Sequence, residues 1–265
     1  MALAVTAGVA GPAQAAAPSN DWPGRAKVAT GVGYTDTVNV SQATSGRRDP
    51  TNCANNASVW YQYTPGTTER INVNTSGSNY DTVLGVYTGT PGAFTRVRCV
   101  DDNFTVQAGL NLEVEAGTTY YFMVGVCCGN GRDGQDYGRP LRLEFQMMTP
   151  LRIDQLAAAD TGVVDRADGE AHVTVSHQCS HVARGFLDAQ LLQRVGATFV
   201  AKGFSFPGDP CGTSTSDLTL TFGPEGDIAF DEGSATVTVR LDACSRETGT
   251  CTRRRITEEV VLAYP

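Results

Sequence analysis

The sequence has little of what enzymes most often use for catalysis. Its 265 residues include three histidines, His172, His177 and His181. No Gly-x-Ser-x-Gly nucleophile motif, no His-Glu-x-x-His zinc motif and no glycine-rich phosphate loop occurs. Cys-x-x-Cys is also absent, which excludes the usual zinc-ribbon and thioredoxin-like patterns. These absences favour a protein that binds a ligand over one that catalyses a reaction.

Positive charge is scarce as well. The chain has 20 Lys and Arg against 28 Asp and Glu, which gives a net charge of -8 at pH 7. A chain of this charge repels a phosphate backbone, so we expect no nucleic-acid partner. The basic run Arg253–Arg255 is followed by Glu258 and Glu259, a pattern typical of a solvated strand edge.

Long apolar runs are missing too, and a membrane-spanning helix needs about 20 strongly apolar residues. The first 17 residues are nearly all Ala, Val, Gly and Leu, and they end in a small-residue stretch, Ala13–Ala17. This pattern is typical of a secretory signal peptide. No Lys or Arg occurs before Arg25, so the signal is truncated at its start or atypical. We predict a signal peptide over residues 1–17, no membrane insertion, and a secreted, extracellular protein.

The eight cysteines fall into two groups of four, as expected for two separately crosslinked domains in an oxidising compartment. The first group is Cys53, Cys99, Cys127 and Cys128. A bond between the neighbours Cys127 and Cys128 would close a strained ring, so each is expected to pair with a distant cysteine. Cys53 and Cys99 are the partners that remain, in an order the sequence leaves open.

The second group is Cys179, Cys211, Cys244 and Cys251. Cys244 and Cys251 flank a short hairpin loop and are expected to bond across its mouth. Cys179 then pairs with Cys211.

If Cys244 lies opposite Cys251, the pairing of the two strands also brings charged residues opposite each other. Asp242 lies opposite Arg253, which is a favourable pair. Arg240 lies opposite Arg255, an unfavourable pair that a bulge in the strand would separate.

Alternation of apolar and polar residues predicts strands through the first half of the chain. Leu110–Ala116 and Leu141–Met147 alternate strictly, and Gly117–Thr118 links the first of them to Tyr120–Val124 as a hairpin. Further candidates are Ser58–Tyr63, Arg70–Asn74, Asp81–Tyr87 and Phe94–Cys99. Short strands with glycine-rich turns predict an all-β sandwich or jelly roll over residues 20–148.

A boundary is predicted near Thr149–Pro150, after which the strand pattern restarts. Ala171–Cys179 and Ala235–Ala243 alternate over their whole length. Phe186–Val195 also fits a helical face, but we predict a strand because a helix would be alone in an all-β domain. Residues 151–265 have the size of an immunoglobulin-like β-sandwich, and the two halves are expected to fold independently.

Four segments of the first half carry a family resemblance. Ser58–Pro65, Asp81–Gly89, Cys99–Asn103 and Ala116–Tyr121 resemble, in order and spacing, the bacterial pre-peptidase C-terminal domain. The resemblance implies a jelly-roll β-sandwich in a secreted protein, of a kind often appended to peptidases. Residues 151–265 are similar to small immunoglobulin-like domains of secreted actinobacterial proteins of unestablished function.

Acidic residues near two predicted loops suggest a calcium site. Asp101, Asp102 and Asn103 follow one strand, and Asp133 and Asp136 lie in a glycine-rich loop. Calcium favours carboxylate and carbonyl oxygens on such loops. The simpler interpretation is that these side chains bond to their own turns. Calcium is therefore an option, and no cofactor is required.

Strand alternation also places His177, Cys179 and His181 on one face, where they could approximate three metal ligands. The simpler interpretation is that Cys179 forms a disulfide and that the two histidines are polar residues at a strand end.

Paired carboxylates could serve a glycosidase, and Glu113 and Glu115 share one face of a strand. That face is the solvent face, where nothing would raise the pKa of either carboxyl, so the pair is a poor acid/base couple. We predict that the protein is not an enzyme.

Aromatic residues cluster in two strands: Trp60, Tyr61, Tyr63, Tyr120, Tyr121 and Phe122. Trp60 and Tyr61 cannot both face one core, so some of these rings point outward. Trp60 and Tyr121 are therefore candidate binding residues for a sugar ring or an apolar polymer. The alternative is that loops cover both faces of these strands.

The function predicted from the sequence is a secreted, non-enzymatic module that binds an extracellular polysaccharide or protein. The alternatives are an accessory or targeting unit of a secreted hydrolase and a carboxylate-based hydrolase.

Overall fold

A computed structural model describes residues 16–53, 56–102, 105–127 and 141–265. Within these ranges the chain forms one turn of 3-10 helix, Pro23–Arg25, and sixteen strands. The strands are β1 (Lys27–Val28), β2 (Thr35–Asn39), β3 (Asn56–Tyr63), β4 (Glu69–Asn74), β5 (Thr82–Thr90), β6 (Ala93–Val100), β7 (Gly109–Val114), β8 (Tyr120–Val126), β9 (Arg142–Met148), β10 (Ile153–Val164), β11 (Ala171–Cys179), β12 (Ala183–Val195), β13 (Thr198–Cys211), β14 (Ser216–Phe222), β15 (Gly233–Ser245) and β16 (Thr250–Ala263). The all-β prediction is confirmed. No helix among the described residues is long and apolar enough to cross a membrane.

The first half folds as a sandwich of two sheets. One sheet has the order β1-β3-β8-β5-β6 and the other β2-β9-β4-β7. Their facing side chains form one core because alternate residues of each strand point inward. At its centre the rings of Tyr61 and Phe145, one from each sheet, stack with centroids 3.9 Å apart.

The second half is one continuous seven-stranded sheet, ordered β13-β12-β15-β16-β10-β11-β14. The sheet curls so that its two edge strands approach each other. Phe204 of β13 meets Phe222 of β14 with ring centroids 6.3 Å apart. The enclosed core contains residues of this half alone, from Leu151 to Leu262. Independent folding of the two halves stays a prediction.

The strand predicted over Phe186–Val195 is confirmed as part of β12, which pairs with both β13 and β15. Leu187 and Leu191 point into the core, while Phe186 and Leu192 are exposed. The period of burial is therefore two, as in a strand, although the spacing of the leucines also suits a helix.

Three disulfides lie within the described residues. Cys179–Cys211 and Cys244–Cys251 are bonded as predicted. In the first half the prediction was wrong, because Cys53 bonds directly to Cys99.

The disulfide between Cys53 and Cys99 forms because the loop that carries Cys53 crosses the outer face of the five-stranded sheet, where Cys99 of β6 lies opposite Gly85. Cys127 is also disulfide-bonded. Cys128 lies outside the described residues, as do residues 1–15 of the predicted signal peptide. The disulfides indicate an oxidising environment.

Candidate functional site

Strand β6 forms the edge of the five-stranded sheet and carries a bulge at Val97. On one side of the bulge Arg98 pairs with Val86, and on the other Arg96 pairs with Tyr87. Val86 belongs to the core between the two sheets, whereas Tyr87 belongs to an outer cluster on the opposite face of the five-stranded sheet. The bulge therefore turns the two arginines to opposite sides of the sheet. The buried residues of the outer cluster are Cys53, Trp60, Val83, Tyr87, Met123 and Cys127. A cavity lies on each side.

The outer cleft lies between the loop that precedes β3 and the tip of the β5–β6 hairpin. It has a volume of about 420 Å³. Its lining residues are Arg47, Arg48, Asp49, Pro50, Thr51, Asn52, Gly92 and Phe94. The ring of Phe94 stacks on Trp60, with centroids 5.3 Å apart and planes 12° from parallel.

Three contacts fix the loop of the outer cleft. The Arg96 guanidinium donates to the backbone carbonyl of Asn52. The Tyr87 hydroxyl donates to Oδ1 of the same residue at 3.4 Å. The disulfide Cys53–Cys99 then ties the next residue of the loop to β6.

Asp49 lies at the back of the outer cleft and is 7% exposed. Its Oδ2 accepts hydrogen bonds from the Gly46 N–H and the Ser58 hydroxyl, both at 2.7 Å. Burial raises the pKa of the Asp49 carboxyl, and these two hydrogen bonds oppose that rise. Asp49 thus ties the loop to β3.

The structure corrects the role predicted for Trp60. Its side chain is 0% exposed and lies in the outer cluster, covered by the N-terminal segment and by Phe94. It has no open face on which a ligand could stack. Tyr121 is half-buried and meets the Phe94 ring edge-on at 5.1 Å. The aromatic residue that lines the cleft is therefore Phe94. Strand alternation does not reveal this role, because most of the other lining residues come from a loop about 45 residues earlier in the chain.

On the other side of β6 a groove follows the edge strands of the two sheets, β6 and β7. Its first part has a volume of about 720 Å³ and is lined by Arg70, Val97, Arg98, Asn111, Leu112 and Glu113. Its second part, about 380 Å³, is lined by Arg98, Cys99, Val100, Asp102, Gly109, Leu110, Asn111, Thr250 and Cys251. The two parts share Arg98 and Asn111, so they form one edge groove that reaches the second half of the chain.

The hairpin between β15 and β16 closes the far end of the edge groove. A Cβ added to Gly109 would lie 3.0 Å from the carbonyl oxygens of both Thr248 and Gly249. Beneath this contact the buried Asn74 side chain donates to Asn72 at 2.7 Å, and Asn72 donates to Asn111 at 3.0 Å. Both halves of the chain therefore build this end of the groove.

A carboxylate cluster lies near one end of the sandwich. The ligand atoms of Asp81, Asp101 and Cys127 lie within 4.8 Å of one another. Burial raises the pKa of both carboxyls, and the neighbouring charge of Asp102 raises both further. The sequence predicted Asp101 and Asp102 but missed Asp81, which comes from the start of another strand.

The sulfur of Cys127 lies 3.0 Å from Oδ2 of Asp101. Because Cys127 is disulfide-bonded, it has neither a proton to donate nor a thiolate to offer a metal. The donors suited to calcium are thus the carboxylates of Asp81 and Asp101, fewer than the six to eight oxygens that calcium takes. Calcium binding stays a prediction, and its other residues, Asn103, Asp133 and Asp136, lie outside the described residues.

The histidines have structural partners. His172 contacts Thr221 at 3.0 Å, and Nε2 of His181 contacts the carbonyl oxygen of Thr149 at 2.9 Å. His177 is buried in β11. Cys179 is bonded to Cys211, so it does not join these histidines as a metal ligand.

No protein-family model matches the chain, and no curated protein sequence is significantly similar to it. Among solved structures, the chain is similar to a β-glucuronidase of Parabacteroides merdae, with a TM-score of 0.28, 11% identity, and coverage of 77% of this chain and 27% of that one. It is also similar to an exo-chitosanase of Amycolatopsis orientalis, with a TM-score of 0.24, 12% identity, and coverage of 76% and 25%. The chain spans about a quarter of the length of these structures. TM-scores this low carry no conclusion about function, and the resemblance to the pre-peptidase C-terminal domain stays a prediction.

Proposed function

We propose that this protein is a secreted, non-enzymatic module that binds an extended extracellular polymer, polysaccharide or protein, in the edge groove. The observation that carries the proposal is the continuity of that groove from Arg70 to the hairpin of the second half. A long, open groove suits a polymer chain, whereas a small ligand is usually held in an enclosed pocket.

The chemistry of the edge groove supports a polar chain as its ligand. Arg70, Arg98 and Asn111 offer hydrogen-bond donors along it, and Glu113 offers an acceptor. The edge strands β6 and β7 also present backbone N–H and C=O groups that no neighbouring strand pairs within the described residues. Sugar hydroxyls and an extended peptide backbone can both use such groups.

The residues that line the edge groove also support a non-enzymatic role. The lining contains no histidine, and both of its cysteines, Cys99 and Cys251, are disulfide-bonded. Nucleophilic catalysis or general acid–base catalysis needs a reactive group beside a suitable partner. The titratable side chains of the described lining are Arg70, Arg98, Asp102 and Glu113, and both carboxylates are exposed to solvent.

The experiment is a sedimentation assay on insoluble peptidoglycan, chitin, cellulose and collagen, together with protease, esterase and glycosidase substrates. We expect binding to at least one polymer and no turnover. Arg98→Ala should weaken binding by about tenfold, because arginines near the centre of an interface are enriched among the residues that carry most of the binding energy. Arg184→Ala, an exposed arginine on β12, is the matched control and should bind as the unchanged protein does.

Equal binding by the Arg98→Ala and unchanged proteins would overturn the assignment to the edge groove. Turnover of any substrate would overturn the non-enzymatic role.

A carboxylate-based hydrolase is the second candidate, favoured by the proximity of Asp81 and Asp101 and by their raised pKa values. It predicts turnover that both Asp81→Asn and Asp101→Asn abolish. Turnover that survives both substitutions would exclude this mechanism.

A further inference from the structure

The outer cleft lies on the opposite side of β6 from the edge groove and presents a different set of groups. We propose that it binds an acidic sugar residue, with its carboxylate on Arg47 and Arg48 and its ring against Phe94. This site is separate from the groove on which the proposed function rests.

Two arginines give the outer cleft a positive charge. Arg47 and Arg48 are exposed, and no described carboxylate lies within 4.0 Å of either guanidinium. Arg96 bonds to a neutral carbonyl group, so its positive charge stays uncompensated there. Two positive charges thus line one cleft of a chain whose net charge is -8, and Arg96 lies behind its loop. Arginine is also the side chain best shaped for a carboxylate, which it can bind through two parallel hydrogen bonds.

Two described carboxylates lie in the same region, and each accepts hydrogen bonds from neighbouring residues of the protein. Asp49 accepts from Gly46 and Ser58, as described above, and is buried. Asp21 accepts hydrogen bonds from the backbone N–H and the hydroxyl of Thr44, at 2.6 and 2.7 Å.

An aromatic ring lies beside the arginines of the outer cleft. One face of Phe94 is covered by Trp60, while the residue still lines the cleft. A sugar presents an apolar face of C–H groups that packs on aromatic rings, and Phe94 offers such a surface beside the arginines. Thr51 and Asn52, which also line the cleft, can hydrogen-bond to sugar hydroxyls. Charge alone would suit any anion, whereas this combination suits a charged sugar.

The loop that lines the outer cleft is held in place by several contacts. The loop from Gly46 to Cys53 is held by Asp49, by the two contacts to Asn52 and by the disulfide to β6. A loop that is already ordered loses little conformational entropy when a ligand binds.

The test is affinity electrophoresis or calorimetry with three soluble polymers: alginate, which carries uronate residues; dextran, which is neutral; and poly-glutamate, which is acidic but not a sugar. We expect the full chain to bind alginate with higher affinity than either of the other two. Arg47→Ala combined with Arg48→Ala should reduce alginate affinity by about tenfold or more, since hydrogen bonds between two charged groups are among the strongest in proteins. Phe94→Leu should reduce the affinity by a smaller factor.

Two controls make the result specific. Arg184→Ala combined with Arg194→Ala removes the same charge from exposed positions of β12 and should leave alginate binding unchanged. The fold-loss of alginate affinity caused by Arg47→Ala combined with Arg48→Ala should be the same with and without Arg98→Ala, which separates the two sites. Equal loss in the β12 control would overturn the proposal. So would a loss of poly-glutamate affinity, in the Arg47 and Arg48 double variant, equal to its loss of alginate affinity.

Discussion

Arg240 lies directly opposite Arg255 across β15 and β16, and no bulge separates them. Arg240 forms ion pairs with Asp188 of β12 and with Asp242 of its own strand, while Arg253 also pairs with Asp242. The carboxylate from β12 thus offsets the repulsion between the two arginines. Asp242 does lie opposite Arg253, as predicted. Cys244 and Cys251 form another opposite pair of β15 and β16, and the disulfide between them fixes the register of the two strands.

Replacing Asp188 with Asn should therefore destabilise the second half. The side chains of Asp188 and Arg240 are 43% and 45% exposed, so the loss should stay below about 1 kcal/mol of unfolding free energy. It should be smaller still when Arg255→Ala is present, because the weaker attraction of Asp188 to Arg255, one strand further away, is then also absent. Urea unfolding of the single and double variants gives both values, with the exposed Asp227→Asn as control. An equal loss with and without Arg255 would show that Asp188 and Arg255 do not interact.

The two disulfides Cys53–Cys99 and Cys244–Cys251 should differ in their contribution to stability. Their sequence separations are 46 and 7 residues. In the chain-entropy account of crosslinks, removing the first costs about 4 kcal/mol and removing the second about 2 kcal/mol. Denaturant unfolding of the two paired Cys→Ala variants measures this order. Non-reducing peptide mapping should recover the Cys53–Cys99 peptide, and any bond between the two halves of the chain would contradict the structure.

The strands could be predicted from the sequence because a half-buried strand alternates locally, as Leu141–Met147 and Ala171–Cys179 do. The sites could not, because each one joins residues that are distant in the chain. Asp81 meets Asp101 through the ladder of β5 and β6, and Arg47 comes to Phe94 through a loop that crosses the sheet. The bulge at Val97 decides which side each arginine of β6 faces, and no local pattern reveals it.

Asp81→Asn should stabilise the protein at pH 7 in the presence of EDTA. Burial and the charges of Asp102 and Asp101 raise the pKa of Asp81 above its ordinary value of 3.8. The folded state therefore holds this proton more tightly than the unfolded state, so stability falls as pH rises through the folded pKa. Asn cannot ionise, so its advantage should be present at pH 7 and vanish below the unfolded pKa of 3.8. Melting temperatures at pH 7 and pH 3 measure the difference.

Glu115→Gln, at an exposed position, is the control for the Asp81 variant and should change little at either pH. A lower melting temperature for Asp81→Asn at pH 7 would contradict the expected sign. If added calcium raises the melting temperature of the unchanged protein but not of Asp81→Asn, the carboxylate cluster binds the cation.

Gly109→Ala should loosen the junction between the two halves. The added Cβ would lie 3.0 Å from the carbonyl oxygens of Thr248 and Gly249 and 3.2 Å from Cβ of Asn74. Two of these three neighbours are backbone atoms, which cannot move without shifting the hairpin between β15 and β16. Overpacking of this kind costs about 1–3 kcal/mol. Hydrogen exchange should therefore rise at Thr248 and its neighbours, and limited proteolysis should cut the hairpin sooner.

Gly66→Ala is the matched control for Gly109→Ala, because an added Cβ there meets nothing within 4 Å. The proposed function adds a second expected result: since the hairpin closes one end of the edge groove, Gly109→Ala should weaken polymer binding while Gly66→Ala does not. The cores of the two halves share no residue, so each half should keep its own unfolding transition in the Gly109 variant. Loss of both transitions together would show that the halves depend on each other for folding, contrary to the prediction from the cysteine pattern.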